Sequence, residues 1–138
     1  MSKGKLLQKS IDTVKSFLGW QRFTEPPPPE ATAVFLLKYG DLKIGTLSAK
    51  DGLWHFEYSI EFRKQGDLRP ILELPDVNKV YESPSLWRFF EMRIPSLEQP
   101  EIEEILDRDH IDEDDSIKLL QRFGRRTIAN PFDLEAVS

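Results

Sequence analysis

Between Leu53 and Phe62 the chain reads LWHFEYSIEF, so Trp54, Phe56, Tyr58, Ile60 and Phe62 recur with a period of two. Successive side chains of a strand point to opposite faces, and the pattern predicts a half-buried strand with an aromatic inner face. Such a strand needs antiparallel neighbours and a core on one side only. Phe35, Leu37 and Tyr39 alternate with Val34, Leu36 and Lys38 ahead of a Gly40-Asp41 turn. Leu42, Ile44 and Leu47 continue as the return strand of a hairpin, and Asp51-Gly52 turns into the aromatic strand. Ile71-Leu72-Glu73-Leu74, just before Pro75, predicts a short fourth strand that closes the sheet.

Beyond this point the period becomes helical. Ser83 is a good N-cap with Pro84 in the first turn, SLWRFFEMR follows, and Pro95 ends the helix. Pro100 opens a second helix in which Ile102, Ile105 and Leu106 form an apolar stripe against Glu101, Glu103, Glu104 and Asp107. Asp112 and Asp115 resemble a capping box for a third helix carrying Ile117, Leu120 and Phe123, stopped by Gly124. Strands followed by helices predict an α+β domain: a small antiparallel sheet of about four strands, then about three helices. The 138 residues suffice for one such domain with an appendage, and 9 Phe, 3 Trp and 3 Tyr supply its core.

The appendage precedes the sheet. In residues 1–24 Leu7, Ile11, Val14 and Leu18 lie at spacings of four, three and four, which predicts an amphipathic helix. Lys3, Lys5, Lys9, Lys15 and Arg22 stand against Asp12 there, a local charge of +4, whereas residues 25–138 hold 14 basic and 23 acidic residues, a local −9. Four prolines, Pro26 to Pro29, mark residues 25–32 as an extended linker, and the domain proper is assigned to residues 33–138. A body so acidic repels nucleic-acid backbones, so no direct nucleic-acid contact is expected. No apolar run reaches the length of a membrane span and no signal-peptide order opens the chain. The expectation is a soluble cytoplasmic protein for which a membrane is not the partner.

Chemistry is sparse. Without cysteine there is no disulfide, thiolate metal site or thiol nucleophile, and His55 and His110 are the sole imidazoles. No phosphate-binding glycine loop, nucleophile elbow or zinc-binding H-E-x-x-H occurs, so neither catalytic residues nor a cofactor or metal are assigned. The string Asp107 to Asp115 offers oxygen ligands, but counting from Asp107 the sixth and twelfth places hold Asp112 and Lys118, where a calcium loop of the EF-hand kind needs Gly and Glu. It reads instead as a helix end and a helix start. His55 lies in the same two-residue period as Glu57, which makes a His/carboxylate pair conceivable, and a solvent-facing strand histidine is the expectation. Lys118, Arg122, Arg125 and Arg126 are the only basic cluster of the body and complement a helix C-terminus.

Leu86, Trp87, Phe89 and Phe90 cannot all face inward from one short helix, because consecutive positions lie about 100° apart. At least one large aromatic belongs at the surface, where Trp and Arg are the types enriched at binding hot spots. Trp87 and Arg88, supported by Phe90, are the candidate partner anchors, the alternative being a tryptophan half-covered by the proline linker or the N-terminal helix. Glu101, Glu104 and Asp107 are the candidate acidic docking surface for a basic partner, a solvated helix face being the alternative.

The ordered segments VFLLKYGDLKIGTLS, HFEY, RPILELP, a spacer with Tyr81, LWRFFEMRIPS and IDEDDSIKLLQRFG resemble the N-terminal subdomain of HipA-type toxin kinases across residues 33–126. Residues 91–96, EMRIPS, stand where that family usually has Asn-Leu-Leu-Pro-Glu-Gly. The nucleotide-binding loop, catalytic Asp and metal-binding Asp of the kinase core have no counterpart in these residues, so no kinase activity is expected. The resemblance implies a partner instead. In three-component relatives of the system a separate small protein supplies this subdomain to a kinase lacking it and acts as antitoxin, beside a helix-turn-helix DNA-binding protein. The expected partner is thus a HipA-like serine/threonine kinase without its N-terminal subdomain. An adaptor unrelated to any toxin, tethered through the basic N-terminal helix, is the alternative.

Overall fold

A computed structural model describes residues 25–137, so the helix expected over residues 1–24 lies outside the described residues. Five strands form one antiparallel sheet: β1 (Ala33–Tyr39), β2 (Leu42–Lys50), β3 (Leu53–Tyr58), β4 (Tyr81–Ser83) and β5 (Asp133–Ala136), in the order β4-β3-β2-β1-β5. Among the described residues four helices accompany it: α1 (Ile60–Lys64), α2 (Arg88–Glu91), α3 (Pro100–Arg108) and α4 (Ser116–Phe123). The fold is α+β. Among the described residues no helix is long and apolar enough to cross a membrane.

The first three strands form as their patterns predict. β1 and β2 pair from Ala33 with Ala49 to Tyr39 with Leu42, and β2 and β3 from Gly45 with Tyr58 to Lys50 with Leu53. Between them Asp51 and Gly52 both take positive φ, 56° and 78°, which is the two-residue turn whose twist matches the strands it joins. The register also skips one residue: Leu37 faces Gly45 while Lys38 faces Lys43, so Ile44 is a bulge residue. Its extra side chain turns inward and is 1% exposed. Gly45 beside it is held to glycine by space, since a Cβ there would lie 2.6 Å from both the Glu57 carbonyl oxygen and Cζ of Phe56.

The aromatic strand is shorter than its period of two suggests. At Ser59 the backbone N–H donates to the bulge carbonyl of Ile44 at 2.8 Å, and the hydroxyl donates to the Lys43 carbonyl. The same hydroxyl accepts the Phe62 N–H at 2.9 Å and so caps α1. Phe62 still reaches the core, 3% exposed, but by a helical turn, and Ile60 is left 58% exposed where the strand reading had buried it.

The predicted fourth strand at 71–74 is a turn instead. The Tyr58 hydroxyl accepts the Ile71 N–H at 2.8 Å and donates to the Leu74 carbonyl at 2.6 Å, while Leu74 N–H closes on Ile71 at 2.9 Å. Ile71 and Leu74 are buried and Leu72 points outward, 93% exposed, a spacing of three that no strand produces. The fourth strand is Tyr81–Ser83, paired with β3. The sheet does not end before the helices either: β5 returns from beyond α4 to pair with β1, Leu37 opposite Leu134.

The helices share one face of the sheet. Leu86, Phe90, Ile94, Leu106, Ile117, Leu119 and Leu120 join Phe35, Leu37, Leu47, Trp54, Phe56 and Tyr58 in a single core. Its aromatic spine runs from Phe62, stacked on Tyr58 at 4.9 Å, through Phe56 to Phe90 at 5.5 Å. Ser83 belongs to β4 and is not the cap of the next helix, which begins only at Arg88. Pro100 opens α3 as expected and Gly124 ends α4. The N-cap of α4 is Asp115, whose side chain accepts Lys118 N–H at 3.0 Å, whereas Asp112 holds the turn before it through Asp114 N–H at 3.3 Å.

Candidate functional site

Trp87 lies at the N-cap of α2, where a side-chain oxygen usually satisfies the free N–H groups of the first turn. Indole has none to offer. Glu73, from the turn at 71–74, does so from outside the helix: its carboxylate accepts Arg88 N–H at 3.1 Å and Phe89 N–H at 2.8 Å. Tyr58 holds that turn in place, so the core fixes the start of α2 through two successive contacts. Burial pushes the Tyr58 phenol up to about 12, against the lowering effect of the Ile71 N–H, with Tyr81 adding to the rise.

Trp87 is half-buried, Arg88 exposed and Phe90 fully buried. The Trp87 and Phe90 rings stand edge to face at 6.4 Å, so Phe90 carries Trp87 from beneath and offers no surface of its own. Phe89 is also half-buried and packs on Phe132 at 6.0 Å. Leu72, next to the capping Glu73, is the most exposed apolar side chain near this helix start. Sequence reasoning passed over Glu73 and Leu72 because both were assigned to a strand.

Glu101, Glu104 and Asp107 lie three residues apart on α3, all exposed, and none forms an ion pair or side-chain hydrogen bond with another described residue. They form one face of the helix, beside the half-buried Ile102 and Ile105. The tryptophan group and the acidic group are therefore two separate features, with no described contact joining them. Further along, Asp109 receives Arg122 at 3.2 Å and Arg108 at 3.4 Å, and these guanidinium hydrogen bonds hold its carboxyl below the usual range. Arg126 pairs with Asp133 at 3.4 Å, so two members of the basic cluster are engaged within the chain.

The string from Asp107 to Asp115 resolves into two helix ends. His110 adopts φ 55°, Ile111 N–H donates to Leu106 at 2.9 Å and His110 N–H to Asp107 at 3.4 Å. That is the Schellman arrangement, in which glycine is the usual left-handed residue. Among the described residues no cluster of three or more His, Asp or Glu side chains is placed to hold a metal ion. His55 finds its carboxylate across the sheet in Glu82, 3.7 Å from Nδ1, and not in Glu57, while Nε2 lies 3.2 Å from the Lys50 carbonyl oxygen.

Arg93, unremarked in the sequence beyond its charge, is 4% exposed. Nη1 donates to the carbonyls of Gly124 and Arg125 at 3.1 and 3.2 Å, and Nη2 to Asn130 Oδ1 and the Phe132 carbonyl at 3.1 and 2.9 Å. Burial lowers its guanidinium to about 10, Asp133 opposing, so the group stays charged at neutral pH. It pins the segment that leads into β5. An arginine one residue before an isoleucine and a proline gives no sequence signal for such a role.

A family model for the HipA N-terminal domain matches residues 36–129, more than half of the chain. The chain belongs to the HipA N-terminal domain family. The matched region runs from the middle of β1 through α4, including the Glu73-capped α2 and the acidic α3. No curated protein matches the chain.

Proposed function

We propose that this domain is a non-catalytic binding module that docks on a HipA-like serine/threonine kinase lacking its own N-terminal subdomain and neutralises it as an antitoxin. Membership of the HipA N-terminal domain family carries this reading. The surface at α2 supports it: Trp87 and Arg88 sit at a helix start that Glu73 caps from outside, over the buried Phe90. A pre-ordered tryptophan loses little rotamer freedom on binding, and rigid aromatic anchors dominate interfaces for that reason. Glu101, Glu104 and Asp107 give the same module an acidic face for a basic patch on its partner, where their contribution falls on the rate of encounter. A helix-turn-helix DNA-binding protein is a third component of the proposed complex. Cytoplasmic placement follows from the same reading.

The experiment is recovery of the tagged protein from its native host, with mass spectrometry of what co-elutes. A HipA-like kinase is expected, and Trp87→Ala is expected to weaken its binding about 30-fold or more, the measure of a hot spot. Absence of any kinase from eluates of cells that express one would overturn the reading in favour of an adaptor.

A further inference from the structure

We propose that Leu72 is a second apolar anchor of the surface at α2, and that Leu72 and Trp87 enter one apolar cleft of the partner together. This rests on the reading of that surface as the place where a HipA-like kinase docks, and it adds a residue from a different part of the chain.

The fold itself makes no use of the Leu72 side chain. Leu74 N–H closes on the Ile71 carbonyl at 2.9 Å, which makes Leu72 and Glu73 the two central residues of a β-turn. Pro, Asp, Asn, Ser and Gly suit such positions for backbone reasons, and leucine offers none of these. Ile71 and Leu74 on either side are buried in the core, whereas Leu72 is 93% exposed. A single exposed apolar side chain is ordinary on a protein surface, so exposure alone assigns no role. Placement decides here.

The turn is tied on two sides. From the core the Tyr58 hydroxyl accepts Ile71 N–H at 2.8 Å and donates to the Leu74 carbonyl at 2.6 Å. Toward α2 the Glu73 carboxylate accepts Arg88 N–H at 3.1 Å and Phe89 N–H at 2.8 Å. Leu72 is one residue from Glu73 and Trp87 one residue from Arg88, so the two apolar side chains flank the same contact. Trp87 in turn rests edge to face on the buried Phe90 at 6.4 Å. Because hydrogen bonds already fix both backbones relative to each other, a cleft that takes the pair pays little to order them. Arg69 and Arg88, both exposed, border the pair. The surface that fits is therefore apolar at its centre and acidic at its edge.

The test titrates the full-length protein, as wild type and variants, against the HipA-like kinase recovered from the host, and reads the dissociation constant. Leu72→Ser, which suits a turn but removes the apolar side chain, is expected to weaken binding about 10-fold, chiefly through faster dissociation. Leu72→Met keeps an apolar side chain of similar volume and should bind within about twofold of wild type. Since the side chain is exposed, both variants should unfold at the wild-type temperature, which separates lost affinity from lost fold. In the Trp87→Ala background Leu72→Ser should weaken binding less than it does alone, because one cleft seats both side chains. Unchanged affinity of Leu72→Ser would overturn the inference and leave the antitoxin reading standing, since the kinase is still bound. Equal losses in the serine and methionine variants, or full additivity with Trp87→Ala, would also overturn it. A wild-type chain that binds no such kinase overturns the antitoxin reading, and the second anchor falls with it.

Discussion

Glu73 and Phe89 are sixteen positions apart, yet the Glu73 carboxylate accepts the Phe89 N–H at 2.8 Å and so caps a helix to which it does not belong. The arrangement releases position 87 from the chemistry of a cap, and a tryptophan can stand there. Glu73→Ala is expected to cost about 1 kcal/mol of stability, the usual worth of an N-cap. Glu73→Gln, which keeps an acceptor, should cost less. Urea denaturation followed by tryptophan fluorescence measures both, and the native spectrum of the alanine variant should shift as Trp87 gains water. Identical midpoints for wild type and both variants would show that α2 starts without help from the turn.

Tyr58 bridges Ile71 N–H and the Leu74 carbonyl, so Tyr58→Phe leaves two buried backbone groups without partners. The expected loss is roughly 2–3 kcal/mol. The native phenol is raised from 10.0 to about 12, chiefly by burial, so folding favours its neutral form. That contribution is complete below pH 10 and is lost as pH climbs through about 12. The stability difference between wild type and Tyr58→Phe should therefore be flat up to pH 10 and narrow above it. A difference that widened above pH 10 would reverse the assignment.

Much of this fold is legible where one residue type decides the local structure. The hairpin turn at Asp51-Gly52, the strand faces of Phe35 and Trp54, the opening of α3 at Pro100 and the end of α4 at Gly124 follow from φ preference, periodicity or a missing donor. What escaped was decided by partners far along the chain. Ile71 and Leu74 look like strand residues until the Tyr58 hydroxyl folds them into a turn, and β5 offers a single inward side chain, Leu134. Trp87 could be assigned to the surface from helical geometry alone, but its cap could not, since nothing near it in sequence identifies Glu73. The acidic face of α3 was readable from spacing, and its separateness from Trp87 was not.

The four bonds from Arg93 join α2's far end to Gly124, Arg125, Asn130 and Phe132. Arg93→Met removes every donor and leaves four acceptors to be resatisfied, for an expected loss of about 3 kcal/mol or more. Arg93→Lys keeps the charge but not the planar fork, and should recover only part of it. Because the bonded segment leads into β5, the Leu134 and Val137 amides, which donate to Arg125 and Val34, should exchange with deuterium sooner than those of β2. Uniform acceleration across the sheet would mean that β5 and the rest unfold as one unit.

His110 carries the left-handed turn that ends α3, at φ 55°, while its side chain is exposed. A residue with a Cβ pays a steric cost in that conformation which glycine avoids, partly offset by glycine's greater freedom in the unfolded chain. His110→Gly is therefore expected to raise stability by about 0.5–1 kcal/mol, and His110→Ala, which keeps the Cβ, to give no such gain. Thermal unfolding of the two variants separates backbone from ring. If glycine destabilised as much as alanine, the imidazole and not the turn would be the reason for histidine at this corner, and the Schellman end of α3 would need another source of support.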